Sequence, residues 1–413
     1  MERDQLPIVK LGKLLPQPYK NGIYKSADFY GDGTQILRIT DFDNEGHLVT
    51  DELQCLHLEN NEVENYKLTS RDIVINRVNS LTHIGKSILW LNNTDCTTVY
   101  ESNMMRIQPD ESAILPEYLI RILQSEPARE HFRKVAKRAV AQCSINQQDV
   151  KSLSFLLHPL PEQKKIAQIL STWDRAISTT EQLLANSRQQ KKALMQQLLT
   201  GKKRLLDKNG VRFSGEWKKV ILDSVADMNS GGTPKSSIEE YYGGDIPWVS
   251  IADMTKHGKW ISSTERNISE LGLANSSARL YPENTILYAM YASIGECSIA
   301  KVPLCSSQAI LGIRPKKSLY FEFLYFFLVS LKDEIKLQGQ QGTQANLNAG
   351  MVKGFSLRLP CIEEQQKIAD VLSTTDQEIA ALQQKLDALK QEKKALMQQL
   401  LTGKRRVKVV GAA

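Results

Sequence analysis

Residues 191–202 read KKALMQQLLTGK, and the same twelve residues return at 393–404. A shift of 202 positions carries one copy onto the other. Followed towards the N-terminus without a gap, the shift lays Glu162-Gln163 on Glu364-Gln365, Lys165-Ile166-Ala167 on Lys367-Ile368-Ala369, and Leu170-Ser171-Thr172 on Leu372-Ser373-Thr374. Asp174 falls on Asp376 and Ile177 on Ile379. Twelve consecutive identities in register are not chance, so the chain is an internal repeat of units of roughly 200 residues.

Further upstream the correspondence fades. Gln142 still meets Gln344, Ile145-Asn146 meets Leu347-Asn348, Val150-Lys151 meets Val352-Lys353, and Tyr118 meets Tyr320. The runs from Arg71 (RDIVINRVNSLTHIGKSILW) and from Asn284 (NTILYAMYASIGECSIAKVP) share only a strand, a turn with Ser and Gly, and a second strand. A constant helical part therefore alternates with a variable globular part.

Pro161 with Glu162 suits a helix start, since proline is tolerated in the first turn and a carboxylate favours the positive end of the dipole. Gly201, followed by Lys202, Lys203 and Arg204, suits a stop. In the second copy Ile379, Leu382, Leu386, Leu389, Lys393, Leu396 and Leu400 step by three and four, the period of a coiled-coil seam. The first copy follows with Trp173, Ile177, Thr180, Leu184, Ser187, Lys191, Leu194 and Leu198. One apolar stripe per helix needs a partner, and the other copy is the obvious one. A pseudo-two-fold axis relating the copies makes the pair antiparallel. From 173 to 198 the seam spans ~39 Å at a rise of about 1.5 Å per residue, against about 34–36 Å for one turn of duplex DNA. An ordinary dimerisation coil is the competing reading. Near-identical repetition of Lys, Gln and Arg positions that packing does not dictate favours one kind of partner docking twice. The basic ends, Lys202-Lys203-Arg204 and Lys404-Arg405-Arg406, suit either phosphate contacts or solvated helix ends.

Composition excludes more than it selects. The net charge is +7, from 53 Lys and Arg against 46 Asp and Glu, which permits a polyanionic partner. Six cysteines without a CxxC pair and no signal-like segment before Pro7 point to a reducing cytoplasm. The apolar run from 319 to 331 is interrupted by Glu322 and is short of the ~20 residues that span a bilayer, so no membrane is expected. Gly85-Lys86-Ser87 lacks the earlier glycine of a phosphate-binding loop. Pro109-Asp110 and Glu334-Ile335-Lys336, the only nuclease-like fragments, lie in different halves. The six histidines show no metal-ligand spacing, and no Asn-Pro-Pro-aromatic or Asp-Pro-Pro-aromatic tetrapeptide of an amino-methyltransferase occurs. No catalytic group, metal or cofactor is expected on this chain.

The variable segments mix short β-rich runs with Gly, Asn and Asp turns and close with an amphipathic helix, which predicts two α/β globules in an α+β chain. Segment two carries Gly231-Gly232-Thr233-Pro234-Lys235 and Ile246-Pro247-Trp248-Val249, turns suited to close approach of a phosphate backbone or to any exposed loop. Side chains able to read base edges crowd 338–344, with Gln340, Gln341 and Thr343. The comparable stretch of segment one, 134–142, includes Lys137 and Arg138. With Arg77, Lys86, Thr233, Lys235, Lys256, Lys259, Arg266 and Arg279 these residues form the candidate DNA-binding set.

The two Glu-Gln-x-Lys-Ile-Ala helix starts, the two KKALMQQLLTGK tails and the Gly-Thr-Pro-Lys to Ile-Pro-Trp-Val stretch resemble, over essentially the whole chain, the specificity subunit of type I restriction-modification systems. The resemblance implies target recognition domains at 1–155 and 205–357, conserved helices at 156–204 and 358–406, and a tail at 407–413. It implies that each domain reads one half of a split, asymmetric double-stranded DNA site in defence against foreign DNA, and that the helices act as spacer. They would also dock two methyltransferase subunits, which bring S-adenosylmethionine, beside restriction and translocation subunits that bring ATP and magnesium. Segment one departs from the pattern, having Tyr30-Gly31-Asp32-Gly33-Thr34 and Ile36-Leu37-Arg38-Ile39-Thr40 where segment two has its Gly-Thr-Pro and Pro-Trp-Val. The rival reading is a coiled-coil scaffold or anti-restriction-like interaction protein that reads no bases.

Overall fold

Two helices dominate the chain: Leu160–Leu198, of 39 residues, and Ile362–Leu401, of 40. They belong to a computed structural model that describes residues 6–16, 19–50, 52–91, 96–140, 142–291, 293–339 and 347–409. Contacts divide the chain into two compact units, 1–181 with 385–413, and 182–384. Each unit thus holds one variable globule, the N-terminal half of the helix that follows it, and the C-terminal half of the other helix.

Within the first unit Lys393 pairs with Asp174 at 2.5 Å and Lys390 with Glu181 at 2.7 Å. Within the second, Lys191 pairs with Asp376, and Arg188 donates to the Gln383 side-chain oxygen at 3.0 Å. In each unit, moving up one helix means moving down the other, so the two are antiparallel. The 202-residue shift also converts each pair of the first unit into a pair of the second: 174 with 393 becomes 376 with 191, and 181 with 390 becomes 383 with 188. The pseudo-two-fold repeat is therefore present in the interactions as well as in the sequence.

The seam follows the stepping of threes and fours. Ile177, Leu184, Leu198, Leu386 and Leu400 are buried, and Trp173, Leu194, Ile379, Leu382, Leu389 and Leu396 are half-buried. The polar seam positions are satisfied locally: the Thr180 hydroxyl donates to the Ala176 carbonyl at 2.7 Å, and Lys191 and Lys393 make the ion pairs above. Apolar burial supplies most of the stability, and removing a buried Leu such as Leu184 costs about 2–5 kcal/mol.

The globules share a topology that their side chains conceal. In the first unit a sheet runs Lys20–Asn21, Met104–Ile107, Ile73–Asn76, Ser87–Leu89. In the second the order is Ala226–Ser230, Ile310–Pro315, Ile286–Ala289, Cys297–Ala300, with Trp260–Ile261 added at the edge. Beside it each globule has a parallel pair of strands: Leu37 stands opposite Tyr100, and Val249 opposite Ser306. A strand joining that pair from the other side sets Ile36 against Gln54 and Trp248 against Arg266. Each globule closes on its helix through a ladder, Ile8–Lys10 with Ser154–Leu156, and Lys218–Ile221 with Ser356–Leu359.

Backbone hydrogen bonds align the two globules to the residue. Gly22 N–H donates to the Met104 carbonyl at 3.0 Å and Ile23 N–H to the Tyr100 carbonyl at 2.9 Å. Gly231 N–H donates to the Ile310 carbonyl at 3.0 Å and Gly232 N–H to the Ser306 carbonyl at 2.9 Å. Gly22 is thus the counterpart of Gly231, which the sequence of segment one had hidden. At both positions a Cβ would lie 2.2–2.3 Å from a backbone carbonyl oxygen, that of Tyr100 or Ser306. Gly22→Ala and Gly231→Ala should each lower stability by about 1–3 kcal/mol, read as a fall in the urea midpoint. An unchanged midpoint would mean that the close approach is not required.

Candidate nucleic-acid interface

The paired Glu-Gln at each helix start has a different task for each residue. Gln163 is fully buried. Its side-chain oxygen accepts the Leu115 N–H at 2.9 Å, and its amide donates to the carbonyls of Ala113 (3.0 Å) and His158 (2.8 Å). Gln365, equally buried, accepts the Tyr320 N–H at 2.8 Å and donates to Ser318 and Pro360, both at 3.0 Å. Leu115 and Tyr320 precede the helices Pro116–Gln124 and Phe321–Ser330, so each glutamine fastens the start of that helix to the start of a long helix.

The glutamates reach for the basic tails. Arg204 forks onto Glu364 at 2.6 and 2.7 Å, with the Trp217 indole N–H donating to the same carboxylate at 3.2 Å. The shifted pair is Arg406 on Glu162, where Nε donates at 2.9 Å and Nη2 also donates. Arg204 and Arg406 are therefore clasps inside their units, where the sequence had left phosphate contacts or solvated ends open. The Arg204 and Glu364 side chains are 20% and 1% exposed, against 40% and 11% for Arg406 and Glu162. Arg204→Ala leaves a buried carboxylate unpaired and should cost about 3–5 kcal/mol. Arg406→Ala should cost less, because Glu162 and its arginine are both more exposed and better screened than the Glu364 pair. Equal losses in thermal denaturation would contradict the difference in burial.

On the second globule the Gly-Thr-Pro loop is bolted from beneath. Trp248 Nε1 donates to the Gly232 carbonyl at 2.9 Å, and the Tyr242 hydroxyl donates to the Pro234 carbonyl at 2.7 Å. This explains the coupling of the loop motif to the Pro-Trp-Val strand: the aromatics fix the loop while Thr233 and Lys235 stay exposed. Gly232 packs against the backbone of Ser277 and Ala278, which brings exposed Arg279 alongside. Exposed Arg266 lies across the strand pair from Trp248. Lys256, exposed in the helix Ile251–His257, stands one turn beyond Asp253, whose carboxylate accepts the Glu265 N–H at 2.9 Å.

On the first globule a three-stranded ribbon orders Lys137–Arg138, Cys143–Ser144 and Val78–Asn79. It gathers exposed Lys137 and Arg138 near half-buried Arg77, whose guanidinium donates to the Ser102 carbonyl at 3.2 Å. Val140, in the turn that follows Lys137–Arg138, is fully exposed. Gln340, Gln341 and Thr343 lie outside the described residues.

Two lysines of the candidate set are corrected. Lys86 is half-buried, with its ammonium donating to the carbonyls of Ile39 (2.5 Å) and Phe42 (2.7 Å) and lying 4.4 Å from the Phe42 ring centre. Burial pushes its pKa down from the ordinary lysine value. Lys259 pairs with Glu322 at 2.6 Å and with the Ser373 hydroxyl at 2.9 Å. Both charges are spent inside the protein, the first on a turn and the second on holding the globule to the long helix. Neither is presented to a phosphate.

The type I restriction modification DNA specificity domain matches the chain twice, over residues 8–186 and 214–391. The chain belongs to that family. It is 29% identical over 362 residues to the MjaX type I restriction enzyme specificity subunit of Methanocaldococcus jannaschii, covering 85% of this chain and 82% of that one. The MjaIX specificity subunit of the same organism is 35% identical over 164 residues, 39% of this chain and 38% of the relative. The fold is similar to the crystal structure of the type I restriction-modification S subunit from M. genitalium, with TM-score 0.60 at 14% identity, covering 97% and 98% of the two chains. A chain from a type I system studied for complex assembly and conformational transition gives TM-score 0.58 at 19% identity over 97% and 100%.

As a type I specificity subunit the chain carries two DNA specificity domains. Among the described residues no group of three His, Cys, Asp or Glu side chains could hold a metal ion. No helix among them is long and apolar enough to cross a membrane.

Proposed function

We propose that this chain is the non-catalytic reader of a type I complex, in which each globule binds one half of a split, asymmetric duplex site and the long helices set the gap. The observation that carries this reading is the contrast between the two units. Their helix interactions repeat under one shift and their globules share a strand topology, while the exposed residues of the globules differ. Two like scaffolds bearing unlike surfaces are what two different half-sites demand.

The helices also offer one surface twice. Lys192, Ala193, Gln196 and Gln197 are exposed, and so are their identical counterparts Lys394, Ala395, Gln398 and Gln399. Core packing does not dictate these residues, and their identity supports two copies of one partner, a methyltransferase subunit. S-adenosylmethionine would then be bound by those partners, and ATP and magnesium by restriction and translocation subunits. The complex acts on DNA in the cytoplasm.

Binding of the full chain, with and without methyltransferase subunits, to duplex DNA across a salt series tests the reading. Lys137→Ala with Arg138→Ala should flatten the slope of log affinity against log salt by about two, near 0.9 for each lost phosphate contact. A wild-type chain whose weak DNA binding is indifferent to salt and sequence would instead support the scaffold reading.

A further inference from the structure

We propose that the first globule reads its half-site through Arg38, held in aim by Asp41 and Gln54, with Tyr24 beside it on the DNA. The inference rests on the DNA-reading function above and deepens it. The backbone alignment of the globules carries it, because that alignment assigns counterparts in a segment whose sequence offered none.

With Gly22 on Gly231 and Ile23 on Gly232, the next residue, Tyr24, stands where Thr233 stands, and it is 80% exposed. With Leu37 on Val249, Arg38 stands where Ser250 stands and Asp41 where Asp253 stands. The turn itself repeats: Asp41 accepts the Arg38 N–H at 2.8 Å, and Asp253 accepts the Ser250 N–H at 2.9 Å. Both aspartates are buried. Gln54, opposite Ile36, stands where Arg266 stands opposite Trp248. Arg38, just past the strand Thr34–Leu37, and Arg266, on the strand Arg266–Ile268, therefore stand at the same corner of the two globules at non-equivalent positions.

The arginine of the first globule is aimed. Its Nε and Nη2 face the Asp41 carboxylate at 3.5 and 3.1 Å, and Nη1 donates to the Gln54 side-chain oxygen at 2.7 Å. A guanidinium has five N–H donors, so two remain, and the side chain is 30% exposed. A part-exposed guanidinium fixed by a carboxylate, with one further N–H on each of Nη1 and Nη2, suits the O6 and N7 acceptors of guanine in the major groove. Ordering the fork in advance removes entropy that a mobile arginine would lose on binding. Exposed Tyr24 adds a hydroxyl and a ring face for the neighbouring sugar-phosphate.

The test selects bound duplexes from a random-sequence library with the full chain and sequences them. Wild type should enrich two blocks. Arg38→Ala should reduce the guanine preference at one position of one block by about 5- to 100-fold and leave the other block intact. Arg38→Lys should not restore it, because an ammonium cannot fork. Gln54→Ala, at an exposed side chain, should weaken the same preference without lowering the thermal midpoint. Arg266→Ala should alter only the other block. If Arg38→Ala and Gln54→Ala both enrich the wild-type blocks, the assignment is overturned and Arg38 is a structural clip. A wild-type chain that enriches no block overturns the underlying reading itself.

Discussion

Exchanging residues 1–155 for the equivalent segment of a relative with a different target changes one half of the recognised sequence and leaves the other half and the gap as they were. The expected effect is large, because specific sites are commonly bound at least ~10³-fold more tightly than unrelated DNA, so the parental site should fall to background. The expectation follows from where the interactions lie. The globule of the first unit meets the long helices through Gln163 and through Arg121, which pairs with Asp174 at 2.6 Å. The replacement must keep the segments that meet Gln163 and Asp174, and no residue of 205–357 is altered by it. Competition binding with duplexes carrying either parental half-site measures the outcome. Loss of both halves would show that the globules do not read independently.

Adding seven residues to each long helix should widen the gap between the half-sites by about three base pairs. The insertions belong after Gln182 and after Gln384, which correspond under the 202-residue shift and lie at the division of the two units. Placed there, they leave the pairs of Asp174 with Lys393 and of Asp376 with Lys191 intact, because each pair lies within one unit. Seven residues at about 1.5 Å each lengthen the seam by ~10 Å, and a heptad returns the apolar stripe to its facing position. Affinity for the parental site should drop sharply, and a site with the longer gap should restore it. Insertion in one helix alone should break the seam register and destabilise the chain. An unchanged preferred gap would rule out the helices as a rigid spacer.

The sequence exposed the helices because identity over twelve residues needs no structural knowledge, and their apolar stepping set the seam. The clasps are invisible to local pattern, although both partners stand in the sequence. Arg204 meets Glu364 across 160 residues, and Arg406 meets Glu162 across 244, and local pattern gives no hint of such pairings. The one available signal was that both members recur under the shift.

The globules show the opposite limitation. Trp248 and Val249 announce a strand that Ile36 and Leu37 fill without resemblance, since the ladder depends on backbone hydrogen bonds. Gly22 was legible only once the carbonyls of Tyr100 and Glu101 beside it were known. Lys86 and Lys259 enter the candidate set because composition records a charge without its neighbours, here the Ile39 and Phe42 carbonyls and the Glu322 carboxylate. Arg38 was missed for a related reason: its interest comes from Asp41 and Gln54, whose side chains hold its donors.

The most direct test of the central claim, that two unlike globules each read part of one DNA site, is to sequence methylated positions across a host genome that carries this chain and its partner subunits. The account predicts a single motif of two short, unlike blocks separated by a degenerate gap of fixed length, abolished when the chain is removed. A continuous motif, two identical blocks, or methylation unaffected by the chain's removal would contradict it.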